Sequence, residues 1–275
     1  MSREFSVPSS TTDELPAESK RQRRIQSIEV GMRVLDALTH AAQPLPLKEI
    51  ARLADMPPGK AHPYLVSFMN VGLVKQHPLT ALYELGPGAL TLGLAALQQL
   101  DPLTEASQEA ALLATNSDLS IALAVWGQLG PTVVRLDEPR YPLHVNLRVG
   151  TVMSLFNTIT GRVFAAYLPE KMVRTMLEDE HRRVVGGASA AFDSPEVQQL
   201  LAEIRATGMG RGLSMPQPGV NTLCAPVFAA DGKIALVMTM IGPQGVFDAS
   251  VDSPAGRQLR EHASRASRRL GYNPI

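Results

Sequence analysis

A single cysteine, Cys224, stands in a chain of 275 residues. One thiol cannot form an intramolecular disulfide or a cysteine-based zinc cluster, so no metal centre of that kind is expected; it fits a reducing cytoplasm. No apolar run approaches the ~18 residues of a membrane span. The segment MSREFSVPSSTTDELPAES holds no hydrophobic signal region, so export is not expected and a cytoplasmic location is. P-loop, dinucleotide fingerprint, HExxH and GxSxG are all missing, and no cofactor is expected. An enzyme would need Cys224 as nucleophile with His181 or His262 as base. Cys224 lies instead in the apolar strand pattern TLCAPVF, the usual setting of a small buried hydrophobe, and the chain reads as a non-enzyme.

Net charge is also missing, because 26 basic groups balance 26 acidic ones. The balance is uneven along the chain. Residues 20–100 carry nine Lys and Arg against five Asp and Glu, a net +4, while residues 1–19 carry −3 and residues 101–275 carry −1. A small basic module on a near-neutral larger one points either to a polyanion partner or to an ordinary solvated surface. Hydrophobic residues make up 45% of the chain, ample material for a core.

Residues 1–24 read as a disordered tail rich in Ser, Thr, Pro and Glu, ending in KRQRR, which is either an arm along phosphates or a soluble lead-in. From Ile25 the pattern is helical, with Ile28, Val30, Met32, Val34, Leu35 and Leu38 mostly on one face. AAQPLP breaks it, and LKEIARLAD (47–55) forms a second helix. After DMP, a third helix carries Tyr64, Leu65, Phe68 and Met69. LVKQHPLTALYELG (73–86) reads as a hairpin. Helix, helix, short turn, helix and hairpin describe a winged helix-turn-helix over residues 25–86. Residues 87–101 form a linker helix whose Leu90, Leu94 and Leu97 face either a twin copy or their own domain.

Residues 102–275 mix helices and strands. Helices are expected over 101–117, 160–169, 169–180, 193–208 and 253–271. Ser194 caps the fourth of these, Pro195 occupies its first position and Gly208 ends it. Strands are expected at LSIALAVWG (119–127), TVVRLDE (132–138) and PLHVNLRVG (142–150), and at two segments around the turn Ala230–Asp231–Gly232. The class is α+β.

The order of QSIEVGMRVLDAL, LKEIARLADMP, GLV and YELGPGALTLG resembles the N-terminal half of an IclR-type transcriptional regulator. LHVNLRVGTVMSLFNTITGRVFAAYLP resembles that family's linker into its effector domain, and ATGMGRG, GVNTLCAPVFAADGKI and TMIGP resemble its later strands. The resemblance covers roughly residues 25–271. It implies a winged helix-turn-helix followed by a GAF-like α/β effector-binding domain (102–275). It also implies homodimers or tetramers on double-stranded operator DNA and a small-molecule effector, often a carboxylate.

In that family the third helix usually begins with Pro, a basic residue, Ser and Thr, and carries an Arg further on. Here Pro57, Pro58, Gly59, Lys60 and Pro63 stand in those places. Proline lacks a donor and clashes with the carbonyl four residues earlier, and a residue before proline avoids the α region. The regular helix is therefore expected to start late, near His62–Pro63, rather than at Pro57 or Pro58 with a kink. The resemblance assigns Arg52, Gly59, Lys60, His62, Tyr64, Ser67, Lys75 and His77 to DNA. Lys60 would meet phosphate or guanine, His62 and Tyr64 base edges or sugars, and Arg52, Ser67, Lys75 and His77 the backbone. Tyr64 is equally suited to the core. Pro63 keeps open a second reading, a ligand-binding sensor with weakened or lost DNA recognition.

The effector places of the family fall on Ile159, Thr160, Gly161, Gly212, Leu213, Thr222, Thr239 and Ile241. Free N–H groups near Thr160–Arg162 would hold a carboxylate. Gly161 is equally explained by close packing. An acidic residue often found near Gly212 is absent, and Ile241 replaces a hydroxyl. A less polar pocket favours an apolar-bodied or aromatic carboxylate.

Overall fold

The computed structural model describes residues 25–41, 43–138, 147–183, 191–215 and 217–273. The expectations for the tail, for KRQRR and for residues 142–146 lie outside that range. The chain divides into two compact units that meet in sequence between Gln98 and Gln99.

The first unit holds α1 (Gln26–Ala41), α2 (Leu47–Leu53), α3 (Pro58–Asn70), the strands β1 (Val74–Gln76) and β2 (Tyr83–Leu85), and the start of α4 (Pro87–Gln99). The first three helices and the hairpin share one core, with Val34 and Leu38 from α1, Ile50 from α2, Leu65 from α3, and Val74 and Tyr83 from the hairpin. Burial of such side chains contributes about 1.5–3 kcal/mol apiece. The antiparallel wing pairs Val74 with Leu85 and Gln76 with Tyr83.

Helix α3 corrects one expectation. It starts at Pro58, not near His62–Pro63, and Pro63 sits inside it. Pro58 occupies the first helical position, where no N–H is needed. The N–H groups of Lys60 and Ala61 both turn back to the Pro57 carbonyl, at 2.9 and 3.1 Å. Pro63 deprives the Gly59 carbonyl of its usual partner, but Gly59 is exposed and water can replace that bond. The helix therefore tolerates the proline through solvent access.

Helix α4 has no buried residue, and Leu90, Leu92, Leu94 and Leu97 are all exposed. Its stripe is thus not packed on its own unit among the described residues.

The second unit runs α5 (Pro102–Ser117), β3 (Ser120–Gly127), β4 (Gly130–Asp137), α6 (Ile159–Tyr167), α7 (Glu170–Arg183), α8 (Pro195–Thr207), β5 (Gly210–Gly212), β6 (Val220–Phe228), β7 (Ile234–Pro243) and α9 (Pro254–Arg269). Its antiparallel sheet has the order β4-β3-β7-β6-β5. Alternation along the strands sorts side chains to two faces. Ile121, Leu123, Leu223, Ala225, Met238 and Met240 pack with α5 and α9. Ala124, Cys224 and Val237 pack with α6, α7 and α8. The sheet is covered on both sides, which is why its strands read as continuous apolar runs.

Four helices are capped as their sequences require: the side chains of Asp101, Thr158, Ser194 and Ser253 each accept a first-turn N–H. Gly208 closes α8 in the left-handed region, φ 71. Residues 147–150 form no strand, contrary to expectation; the nearby Val152 makes only an isolated bridge to Thr132. The edge strand β5 falls within ATGMGRG, one of the segments that resemble the family's later strands. Between α5 and α9, buried His262 Nδ1 lies 2.7 Å from Glu109 Oε2, and Arg269 Nη2 lies 3.2 Å from Glu109 Oε1.

Candidate functional site

On the first unit, Gly59, Lys60, His62 and Ser67 share the exposed surface of α3 with Pro63 and Val66. Tyr64 leaves this group. It is half-buried, and its ring lies against α1, where a Cβ on Gly31 would approach it to 3.1 Å. Ser67 Oγ donates to the Pro63 carbonyl at 2.9 Å. Arg52 is paired within its own helix, its Nε 3.0 Å from Glu49 Oε2. Lys75 reaches Glu84 across the wing at 3.3 Å. Both pairs are exposed, so exchanging either partner for a phosphate costs little. His77 is committed to the wing tip, where its Nδ1 accepts from the N–H groups of Leu79 and Thr80 at 3.3 Å.

On the second unit, Ile159, Thr160, Thr222, Thr239 and Ile241 line one cavity of about 120 Å³. Gly161, Gly212 and Leu213 do not. A Cβ on Gly161 would lie 2.3 Å from the Ser154 carbonyl oxygen and 2.5 Å from that of Leu155, so this glycine serves the close approach of α6 to the preceding loop. Gly212 backs the Ile159 side chain, and Leu213 is 55% exposed. Five wall residues were missed: Leu147, Met153, Thr158, Gln217 and Val220. A Thr immediately before an apolar helical run is a capping signal that could have found Thr158.

The polar side of this cavity is the start of α6. Thr158 Oγ1 accepts from the Gly161 N–H at 3.0 Å and donates to the Ser154 carbonyl at 2.7 Å. The N–H groups of Ile159 and Thr160 find no acceptor among the described residues. Thr160 Oγ1 lies 3.0 Å from Thr239 Oγ1. Behind them, the Cys224 thiol sits 3.3 Å from Thr239 Oγ1 and 3.6 Å from Thr160 Oγ1. Burial pushes this thiol up to about 11, against hydrogen bonds from the two threonines that act the other way. It is protonated at neutral pH and a poor nucleophile. His262 lies on the opposite face of the sheet with Glu109, so the two do not form a catalytic pair. Among the described residues the cavity wall holds no charged side chain. An anion there would rest on backbone N–H groups, the helix dipole and hydroxyls.

Residues 27–78 match the IclR helix-turn-helix domain, and residues 94–268 match the C-terminal domain of bacterial IclR transcriptional regulators. The crystal structure of HmgR from Pseudomonas aeruginosa is 36% identical, with 91% of this chain and 100% of that one covered and a TM-score of 0.82. A glycerol operon regulatory protein from Streptomyces griseus is 28% identical over 90% of this chain and 98% of its own length. The Agrobacterium tumefaciens repressor BlcR, 20% identical over 91% of this chain and 99% of its own, shares the fold with a TM-score of 0.72. No helix among the described residues is long and apolar enough to cross a membrane.

Proposed function

The chain belongs to the IclR family of DNA-binding transcriptional regulators, and from that premise we propose that a small apolar or aromatic carboxylate, held at the start of α6, modulates its grip on operator DNA. Residues 25–86 serve as the reading head, 87–101 as the linker helix and 102–275 as the effector-binding domain. The observation that carries the effector class is the cavity. Among the described residues its wall mixes apolar side chains with Thr hydroxyls and Gln217, carries no charged group, and includes Ile159 and Thr160, whose N–H donors have no partner. Its volume is about 120 Å³. An engineered apolar cavity of roughly 150 Å³ holds benzene. A single ring or a short branched body therefore fills it, with the carboxylate on the Ile159 and Thr160 N–H groups.

On the DNA side, Lys60 and His62 are the reaching groups of α3, and Arg52, Ser67, Lys75 and His77 lie toward the phosphates. The exposed leucines of α4 support a homodimer, or a tetramer built from it, in which two heads meet half-sites roughly 34 Å apart or a multiple of that. Effector binding alters the fit of the heads to those half-sites.

Two measurements test this. Calorimetric titration with benzoate and with acetate should show the ring acid binding more tightly; tighter acetate binding overturns the effector class. A gel shift on the operator with salt varied should show preference that survives competitor DNA and a negative salt slope. Lys60→Met should weaken binding and reduce that slope by about one. A slope without sequence preference would instead mark a sensor that has lost its operator.

A further inference from the structure

A second cleft, of about 270 Å³, lies beside α6, α8 and β5. Its floor is apolar, with Leu200 and Val251 among its walls, and its two cations are Arg162 and Arg211. Arg162 is half-buried. Its Nε donates to the Phe156 carbonyl at 2.7 Å, which fixes the guanidinium plane and leaves its two Nη groups for other partners. Burial pulls this group below the usual guanidinium range, and no carboxylate among the described residues offsets it. A half-buried guanidinium with both Nη groups free of a carboxylate among the described residues is open to an anion. Arg211 is exposed on the three-residue strand β5. Glu203 shares the wall, and its Oε1 accepts from Gln199 Nε2 at 3.1 Å.

The cleft and the inner cavity share one residue, Ile159. Its side chain is wedged against β5, where a Cβ on Gly210 would lie 2.8 Å from Ile159 Cγ2 and one on Gly212 2.6 Å from Cγ1. The two spaces therefore adjoin at Ile159.

We propose that this cleft is a second ligand site, for an organic monocarboxylate with an apolar body, whose carboxylate bridges Arg162 and Arg211. Two cations and one carboxylate leave a single net positive charge, which suits a monoanion better than phosphate. The apolar floor would be idle under an inorganic ion. The ligand class rests on the effector reading above; the site itself rests on the cleft and its arginines.

Benzoate titrated calorimetrically into the full-length chain tests the assignment, with inorganic phosphate as the comparison. Two classes of benzoate site are expected. Arg211→Met, at an exposed position, should weaken one class about tenfold or more, and Arg162→Met should weaken the same class. Thr160→Val should weaken only the other. A single class that responds to Thr160→Val and to neither arginine variant overturns the cleft and leaves the inner effector site standing. A single class that responds only to the arginine variants supports the cleft and removes the inner site. One class weakened by all three variants, no benzoate binding in the millimolar range, or phosphate binding as tightly as benzoate overturns the proposal.

Discussion

Helices α3 and α6 begin by opposite means. α3 starts on Pro57 and Pro58 with no side-chain cap, and the next donors fold back onto the Pro57 carbonyl. Its start is exposed, and its charge is carried on the flexible arm of Lys60. α6 starts on Thr158, whose hydroxyl takes the Gly161 N–H, while those of Ile159 and Thr160, two residues that line the cavity, find no acceptor among the described residues. One start lacks the two N–H groups that prolines remove and offers side chains to the outside. The other has kept two donors and hidden them. On the proposed function the contrast would serve two kinds of anion: a long one gripped by mobile cations, and a small one held by a rigid backbone.

The sharpest way to break the comparison is to add the same methyl group to both starts. Gly161→Ala forces a Cβ to 2.3 Å from the Ser154 carbonyl oxygen and should cost the effector unit about 3 kcal/mol. Gly59→Ala meets nothing within 4 Å and should be neutral or stabilising by up to about 1 kcal/mol. Urea melts of the two variants against the parent chain measure both. Equal effects would show that the α6 loop yields freely and that the close approach is incidental.

The next effect belongs to the thiol behind α6, which has no counterpart at α3. The folded Cys224 holds its proton up to about 11, against an ordinary value of 9.0. The stability this represents is fully present below the ordinary value and is lost as pH rises through the folded one. Unfolding free energy should therefore fall by roughly 2–3 kcal/mol between those limits. Cys224→Ala should flatten that part of the pH–stability profile, and an unchanged slope would mean the thiolate is accommodated.

A smaller change sharpens the effector side alone. Thr160→Val removes the hydroxyl paired with Thr239 while preserving shape, and benzoate affinity should drop about tenfold, near 1.4 kcal/mol. Operator affinity without ligand should stay put. The least effect is at Pro63→Ala, which restores a donor for the Gly59 carbonyl. It should stabilise the first unit by about 1 kcal/mol, less than the ~3 kcal/mol of a mid-helix proline, because Pro63 lies within the first two turns of α3. No gain in a thermal melt would mean that solvent already satisfies that carbonyl in full.

Much of the fold was legible because it is written in local chemistry. Ser-Pro pairs at 194–195 and 253–254 announce helix starts, Gly208 a helix end, and Asp231–Gly232 a turn. Pro63 misled for a physical reason: propensity counts the missing donor but cannot see that the orphaned carbonyl is exposed. Strand β5, Gly-Arg-Gly, is too short and too poor in side chains to show any period. Half of the cavity wall was readable through positions in α6, β6 and β7. The rest comes from loop residues such as Met153 and Gln217, which no periodicity marks. The Glu109–His262 contact spans 153 positions, beyond any pattern read along the chain.

That long-range contact has a consequence for how the molecule is made. α5 is among the first parts of the effector unit to leave the ribosome, and α9 is among the last. Until residue 269 has emerged, Glu109 waits without its histidine and its arginine, and one face of the sheet lies bare. The head can finish folding during synthesis, while the sensor must close afterwards in one late step.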